Sequence, residues 1–335
     1  MKKYFSSLFL FGAFLPLLLL SSCEEWSVDS DATAVTKEAS DITSSKAVVS
    51  CLANVEQGEA IEYGVMYSTD KAKLEAHEGD IAFTSEIEGN EYKATLRGLR
   101  SNKTYYYCAV VRIKLINNYG KVELFKTDKP NENHEYVDLG LPSGTLWATC
   151  NIGANNPEDY GDYFAWGETT LPEDNSYLWT SYKWSNSSNN TSLTKYCNDS
   201  YYGNNGFTDN LTELELSDDA AYVNWGSSWR MPNKEQFDEL INSSYTTIEW
   251  ATLNGVNGRK ITSKSNGRTL FFPAAGSRYD SSIGGAGSFG YYWSRMLPSD
   301  GPYVAWVMCF SSYSVLIDGN GRSFGLSIRP VRSPE

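Results

Sequence analysis

The 335-residue sequence predicts an all-β sandwich followed by a loop-rich α+β region, and three observations carry that prediction. Short runs of β-branched and aromatic residues recur between turn residues over 35–128, with no helical period among them. Tryptophan density changes along the chain: Trp26 stands alone near the start, and the other nine all follow residue 135. Beyond that point, helix-start signals occur at two places in text dense with Gly, Asn, Ser and aromatics.

The chain opens on Met1-Lys2-Lys3, an apolar run from Leu8 to Leu20, and Leu20-Ser21-Ser22-Cys23. A basic start, a short apolar core and small residues before a cut site describe a signal peptide over 1–22. The run is shorter than the roughly 20 residues a membrane span needs. Leucine, two small residues and cysteine resemble the lipobox of bacterial lipoproteins. That resemblance implies lipidation at Cys23, with several acyl chains giving stable anchoring. Glu24 and Glu25 resemble the surface-export signal of Bacteroidetes lipoproteins. The implied location is the bacterial outer membrane, lipid-anchored and surface-exposed, with 23–34 as a flexible tether.

The formal net charge is −13, and loss of Lys2 and Lys3 with the leader makes it more negative. A strongly acidic surface repels nucleic acid and anionic lipid, which excludes nucleic acid as a partner. Length favours two domains. Six cysteines occur, widely spaced and with no CxxC. Setting Cys23 aside leaves an odd number, so at least one thiol stays free unless a second chain takes part.

Candidate strands over 35–128 are 47–53, 61–67, 92–96, 104–113 and 121–126, which suggests a β-sandwich. Glu62-Tyr63-Gly64-Val65-Met66-Tyr67-Ser68-Thr69 and Leu96-Arg97-Gly98-Leu99-Arg100-Ser101-Asn102-Lys103-Thr104-Tyr105-Tyr106-Tyr107 resemble fibronectin type III-like modules of Bacteroidetes surface proteins. The resemblance implies an immunoglobulin-like sandwich used as a spacer or interaction unit. Leu99 and one tyrosine of 105–107 would then form its corner packing. Cys51 and Cys108 would lie on the second and sixth strands. A bridge between them requires Cys108 to face inward, which strand alternation allows if Tyr106 is the corner and forbids if Tyr105 is.

Polar residues and a proline over 129–134 read as a linker, leaving 135–335 as the second domain. There Asn233 and Gln236 form a capping-box pattern ahead of Phe237, Leu240 and Ile241, predicting a helix to about 242. A second helix is expected over 217–223, capped by Ser217, with Asp218 and Asp219 set against its N-terminal dipole. The ordered words Asp138-Leu139-Gly140-Leu141-Pro142-Ser143-Gly144-Thr145-Leu146-Trp147-Ala148, Tyr163-Phe164-Ala165-Trp166-Gly167-Glu168, Trp229-Arg230-Met231-Pro232, Phe272-Pro273-Ala274-Ala275-Gly276 and Ser327-Ile328-Arg329-Pro330-Val331 resemble the Fibrobacter succinogenes major paralogous domain. That resemblance implies a C-type-lectin-like fold, related to the formylglycine-generating-enzyme group.

No catalytic residue is assigned. The close cysteine pair of formylglycine-generating enzymes is absent, His77 and His134 belong to no ligand-spaced motif, and no GxSxG elbow occurs. The protein is therefore read as a non-enzyme with no cofactor. Asp218, Asp219, Glu168, Asp159 and Asp162 remain candidates for an acid/base pair or a calcium site, though no EF-hand spacing fits. For Asp218 and Asp219 the favoured role is capping plus an ion pair to Arg230 or Arg329, and for Arg230 a buried ion pair.

The aromatic words suggest core packing for Trp147, Trp166, Trp225, Trp229 and Trp293. The irregular stretch 172–206 differs, because Tyr, Ser and Asn are what adaptable recognition loops use. Tyr177, Trp179, Tyr182 and Trp184 are the candidate ligand-binding residues, with Tyr201 and Tyr202 nearby. The expected role is a surface-displayed binding or adhesion module for a glycan or protein. The alternatives are a carboxylate-dependent envelope enzyme acting on glycans and a structural subunit of a surface or fimbrial assembly.

Overall fold

A computed structural model describes residues 32–55, 61–113, 116–129, 134–172 and 176–334. The leader, Cys23, Glu24, Glu25 and most of the tether and linker lie outside the described residues. Among the described residues, no helix is long and apolar enough to cross a membrane.

Strands β1 (Thr33–Ser40), β2 (Lys46–Asn54), β3 (Ile61–Ser68), β4 (Asp80–Thr84), β5 (Ile87–Glu88), β6 (Glu91–Arg97), β7 (Thr104–Ile113), β8 (Ile116–Tyr119) and β9 (Glu123–Lys126) build the first part. One antiparallel sheet runs β1-β2-β6-β5 and the other β4-β3-β7-β8, with β9 also paired to β7. The product is a β-sandwich of immunoglobulin-like strand order. Alternation explains it: on β2, Ala47, Val49, Cys51 and Ala53 are buried and their neighbours are not. Tyr92 crosses between the sheets, its hydroxyl 3.2 Å from the Gly64 carbonyl and 3.1 Å from that of Val110. A short helix, α1 (Lys71–Glu75), interrupts the expected all-strand pattern; Asp70 caps it and Leu74 is its buried residue.

The corner residue is Tyr105. Its hydroxyl accepts the Arg100 N–H at 2.8 Å, and Leu99 is buried in the same core. With Tyr105 and Tyr107 inward, Cys108 turns outward to pack with Met66, Leu74 and Val110, while Cys51 stays in the inner core. The two thiols are free, so the bridge considered for them does not form. Burial raises both to about 11.

No strand pairing joins this sandwich to the rest among the described residues. Strands β10 (Tyr136–Asp138), β11 (Leu146–Ala148), β12 (Thr246–Leu253), β13 (Val256–Ser263), β14 (Thr269–Pro273), β15 (Ser277–Tyr279), β16 (Ser282–Gly284), β17 (Gly290–Trp293), β18 (Val304–Phe310), β19 (Val315–Gly321) and β20 (Val331–Arg332) form four small sheets. The order is β10-β11-β20, β12-β13-β14, β15-β16 and β17-β18-β19. Helical content is small: α2 (Ala220–Trp225) and α3 (Lys234–Leu240). The C-terminal segment ties the pieces together. Gly325 bridges Arg278, Leu326 bridges Phe164, Ser327 bridges Tyr292 and Val331 bridges Arg230.

Helix α3 carries the expected capping box between Asn233 and Gln236. Helix α2 corrects the expectation for 217–223. Leu216–Asp218 forms a separate 3-10 turn, and the N-cap is Asp219 rather than Ser217. The Asp219 carboxylate accepts from Ala221 N and Tyr222 N, and also from Met231 N at 3.0 Å. That distant third amide favours Asp219 over Ser217.

Arg322 and Arg329 are fully buried, with no carboxylate partner among the described residues. Arg322 Nε donates to Tyr182 Oη at 2.9 Å, and its other nitrogens reach the carbonyls of Tyr196, Pro302 and Lys195. Its guanidinium lies 4.9 Å from the Trp166 ring centre. Arg329 donates to Asn151 and to the carbonyls of Ala148, Thr149 and Phe271. Carbonyl dipoles and aromatic faces stand in for counter-charges here.

Candidate functional site

The residues singled out in 172–206 separate into core and surface. Tyr177 is 2% exposed and donates to the Tyr163 carbonyl at 2.6 Å. Tyr182 is 3% exposed and donates to the Trp166 carbonyl while accepting from Arg322. These two are packing residues, which corrects their reading as ligand contacts. Trp184 is half-buried, its indole N–H on the Gly167 carbonyl at 3.1 Å and its face under Lys183 and Lys195. Trp179 is half-buried and edge-on to Tyr182.

The carboxylates do not converge. Among the described residues, no group of three or more His, Cys, Asp or Glu side chains is placed to hold a metal ion. Asp218 pairs with Lys195 at 2.7 Å and Lys183 at 3.3 Å, and accepts from the Tyr196 hydroxyl at 2.7 Å. Burial alone would raise its pKa, but those donors hold it below the usual carboxylate range. Its partners are thus lysines, not Arg230 or Arg329. Asp219, raised by burial, faces backbone amides. Glu168 accepts from Lys183 N, Asp159 from Asn156, and Asp162 from Ser101.

Arg230 forms no buried ion pair among the described residues. Its Nη1 donates to the carbonyls of Ser227 and Trp229, and its guanidinium stacks over Tyr222 at 4.3 Å.

The surface that remains is a tyrosine ledge beside a polar hollow. Tyr201 is 72% exposed. It meets Tyr202 edge-on at 5.0 Å between ring centres, and Tyr202 leans on Tyr303 at 4.7 Å. The adjoining cavity is about 520 Å³, lined by Asn198, Asp199, Ser200, Thr208, Ser299 and Asp300, with Gly301. Local bonds fix the loop that presents it. Asp209 accepts from Tyr196 N and Cys197 N, Asp199 accepts from Tyr201 N at 2.9 Å, and Asn198 Nδ2 reaches the Ser299 carbonyl at 2.7 Å. Tyr303 arrives from a segment a hundred residues on, so spacing could not place it beside Tyr202; the cluster of Tyr201 and Tyr202 in polar text was the legible half. An exposed ring on the same loop as amide, hydroxyl and carboxylate groups is the chemistry a flat polyhydroxylated ligand uses, its ring stacking while its hydroxyls bond sideways. Asp199 and Asp300 disfavour an anion there.

No family model and no curated protein matches the chain. Among solved structures, the sensor domain of the anti-sigma factor RsgI4 from Pseudobacteroides cellulosolvens is 21% identical over 30% of this chain and 98% of its own, with a TM-score of 0.23. A fibronectin type III domain from the human KIAA0970 protein is 20% identical over 29% of this chain and 74% of its own, with a TM-score of 0.21. Likenesses of this size carry no argument about function, and the sandwich rests on its own strand pairing.

Proposed function

We propose that the chain is a cell-envelope lipoprotein, anchored through Cys23 and displayed on the outer membrane, whose C-terminal region binds a neutral glycan. The lipobox-like text and Glu24-Glu25 support the anchor. The sandwich acts as a fibronectin type III-like spacer. The resemblance of the ordered words to the Fibrobacter major paralogous domain supports a C-type-lectin-like reading of 135–335.

One observation carries the binding role: the exposed Tyr201 ring, braced by Tyr202 and Tyr303, follows directly in the chain on Asn198, Asp199 and Ser200, which line the hollow with Asp300. Screening the full chain against a glycan array tests it. The expected result is selective binding to neutral glycans, lost in Tyr201→Ala with the melting temperature unchanged. Binding to no glycan, together with co-purification of other envelope proteins, would point to a structural subunit instead. Metabolic labelling with palmitate tests the anchor: incorporation is expected in the parent chain and absent in Cys23→Ser.

A further inference from the structure

A second cavity, sharing no lining residue with the tyrosine hollow, has the opposite chemistry. It encloses about 380 Å³ where β20 meets the loop before Met231. Arg230, Arg295 and Arg332 line it with Gln236, Ser227 and Ser333, and no lining residue is acidic. Three guanidiniums in one cavity are unexpected in a chain of net charge −13. Like charges gathered in one cavity repel one another.

Each guanidinium is held in place. Arg230 lies over Tyr222, and its Nη1 bonds two carbonyls. Arg295 gives Nη1 to the Met231 carbonyl at 2.8 Å and pairs through Nε with Glu213. Arg332 lies over Tyr136 at 4.9 Å and Trp229 at 5.8 Å. These contacts leave Nη2 of both Arg230 and Arg295 without a hydrogen bond among the described residues. Fixed donors of one sign, supplemented by an amide and hydroxyls, form a receptor for an oxyanion, because a guanidinium edge matches a carboxylate, sulfate or phosphate in two parallel bonds. The volume falls within the range of small-ligand sites, roughly 300–1,000 Å³, and suits one monosaccharide-sized group.

We propose that this cavity binds a small ligand bearing an oxyanion, a carboxylated or sulfated sugar unit or a phosphate, held by Arg230, Arg295 and Arg332. The long-range field of the acidic chain works against polyanions, so a single anionic group is the fitting ligand.

Calorimetric titration of the full chain in detergent with D-glucuronate, D-glucose 6-sulfate, inorganic phosphate and neutral D-glucose tests the proposal. At least one oxyanion should bind saturably and glucose should not compete. Affinity should fall about tenfold or more in Arg230→Gln, and also on raising salt from about 50 to about 300 mM. Which probe binds identifies the source of the oxyanion. Should Arg230→Gln melt early, Arg332→Gln and the salt titration of the parent carry the test. Failure of all three oxyanions to bind, or parental affinity in the folded arginine variants, would overturn the proposal.

Discussion

Asp219 shows how much a single side chain decides in a region with little regular structure. Its carboxylate joins the first turn of α2 to the Met231 amide, so it ties two segments as well as capping a helix. Asp219→Ala should cost about 2 kcal/mol in urea unfolding, a cap plus a buried amide left unpaired. Arg322 has a similar office deeper in the core. Arg322→Met should cost about 3 kcal/mol, because the Tyr182 hydroxyl and three carbonyls lose their donor. The cap at Asn233 was legible because both halves of its box are local in sequence. The cap at Asp219 was not, since Ser217 and Asp219 are both good capping types and the deciding Met231 amide is distant. The same limit misplaced Tyr177 and Tyr182. Sequence marks them as tyrosines in polar text, and only the fold reveals the carbonyls that take their hydroxyl protons.

At the scale of elements, the sandwich strands were legible where burial alternates cleanly, as on β2 and β6, or where an apolar run is buried on both faces, as from Tyr107 to Val111 of β7. β1 escaped notice because its side chains alternate between exposed and half-buried, as suits an edge strand. It also shifts register between Thr36 and Ala39, where Thr36 Oγ1 turns to accept Ala109 N–H of the other sheet at 2.9 Å. The tyrosine corner locks the turn between β6 and β7. Tyr105→Phe keeps the ring and removes the acceptor of Arg100 N–H, so a loss of about 1–3 kcal/mol is expected in chemical denaturation, with the strand content by circular dichroism retained.

For the whole molecule, the seam between the sandwich and the C-terminal region is built on buried polar groups. Asp162 accepts from Ser101 N at 3.3 Å and Ser101 Oγ at 3.2 Å, and Arg278 Nη2 donates to the Gly98 carbonyl at 3.2 Å. A side chain at Gly98, which sits at φ +65°, would meet Ile283 at 2.8 Å. Burial pushes Asp162 up to about 6, against the opposing pull of Ser101, Arg100 and Arg278. A carboxyl raised in the folded state stabilises below its unfolded value and loses that contribution as pH rises through the folded one. Asp162 should therefore favour the folded form more at pH 5 than at pH 7.5, by about 1 kcal/mol. Asp162→Asn keeps an acceptor for Ser101 and removes the charge, so thermal melts of that variant should lose most of this pH dependence between pH 5 and 7.5. An unchanged dependence would assign it to other carboxyls. The seam was invisible in sequence, because Gly98, Ser101, Asp162 and Arg278 sit in separate words that only folding brings together.

The central claim is that ligand binding lies on the ledge of Tyr201, Tyr202 and Tyr303 rather than along the aromatic run at 177–184. Affinity for a glycan that the full chain binds, measured side by side for Tyr201→Ala and Trp184→Ala, tests it most directly. The account predicts loss of about tenfold or more in Tyr201→Ala and near-parental affinity in a folded Trp184→Ala, since stacking on one ring is worth roughly 1 kcal/mol or more. Full affinity in Tyr201→Ala with loss in Trp184→Ala would contradict it.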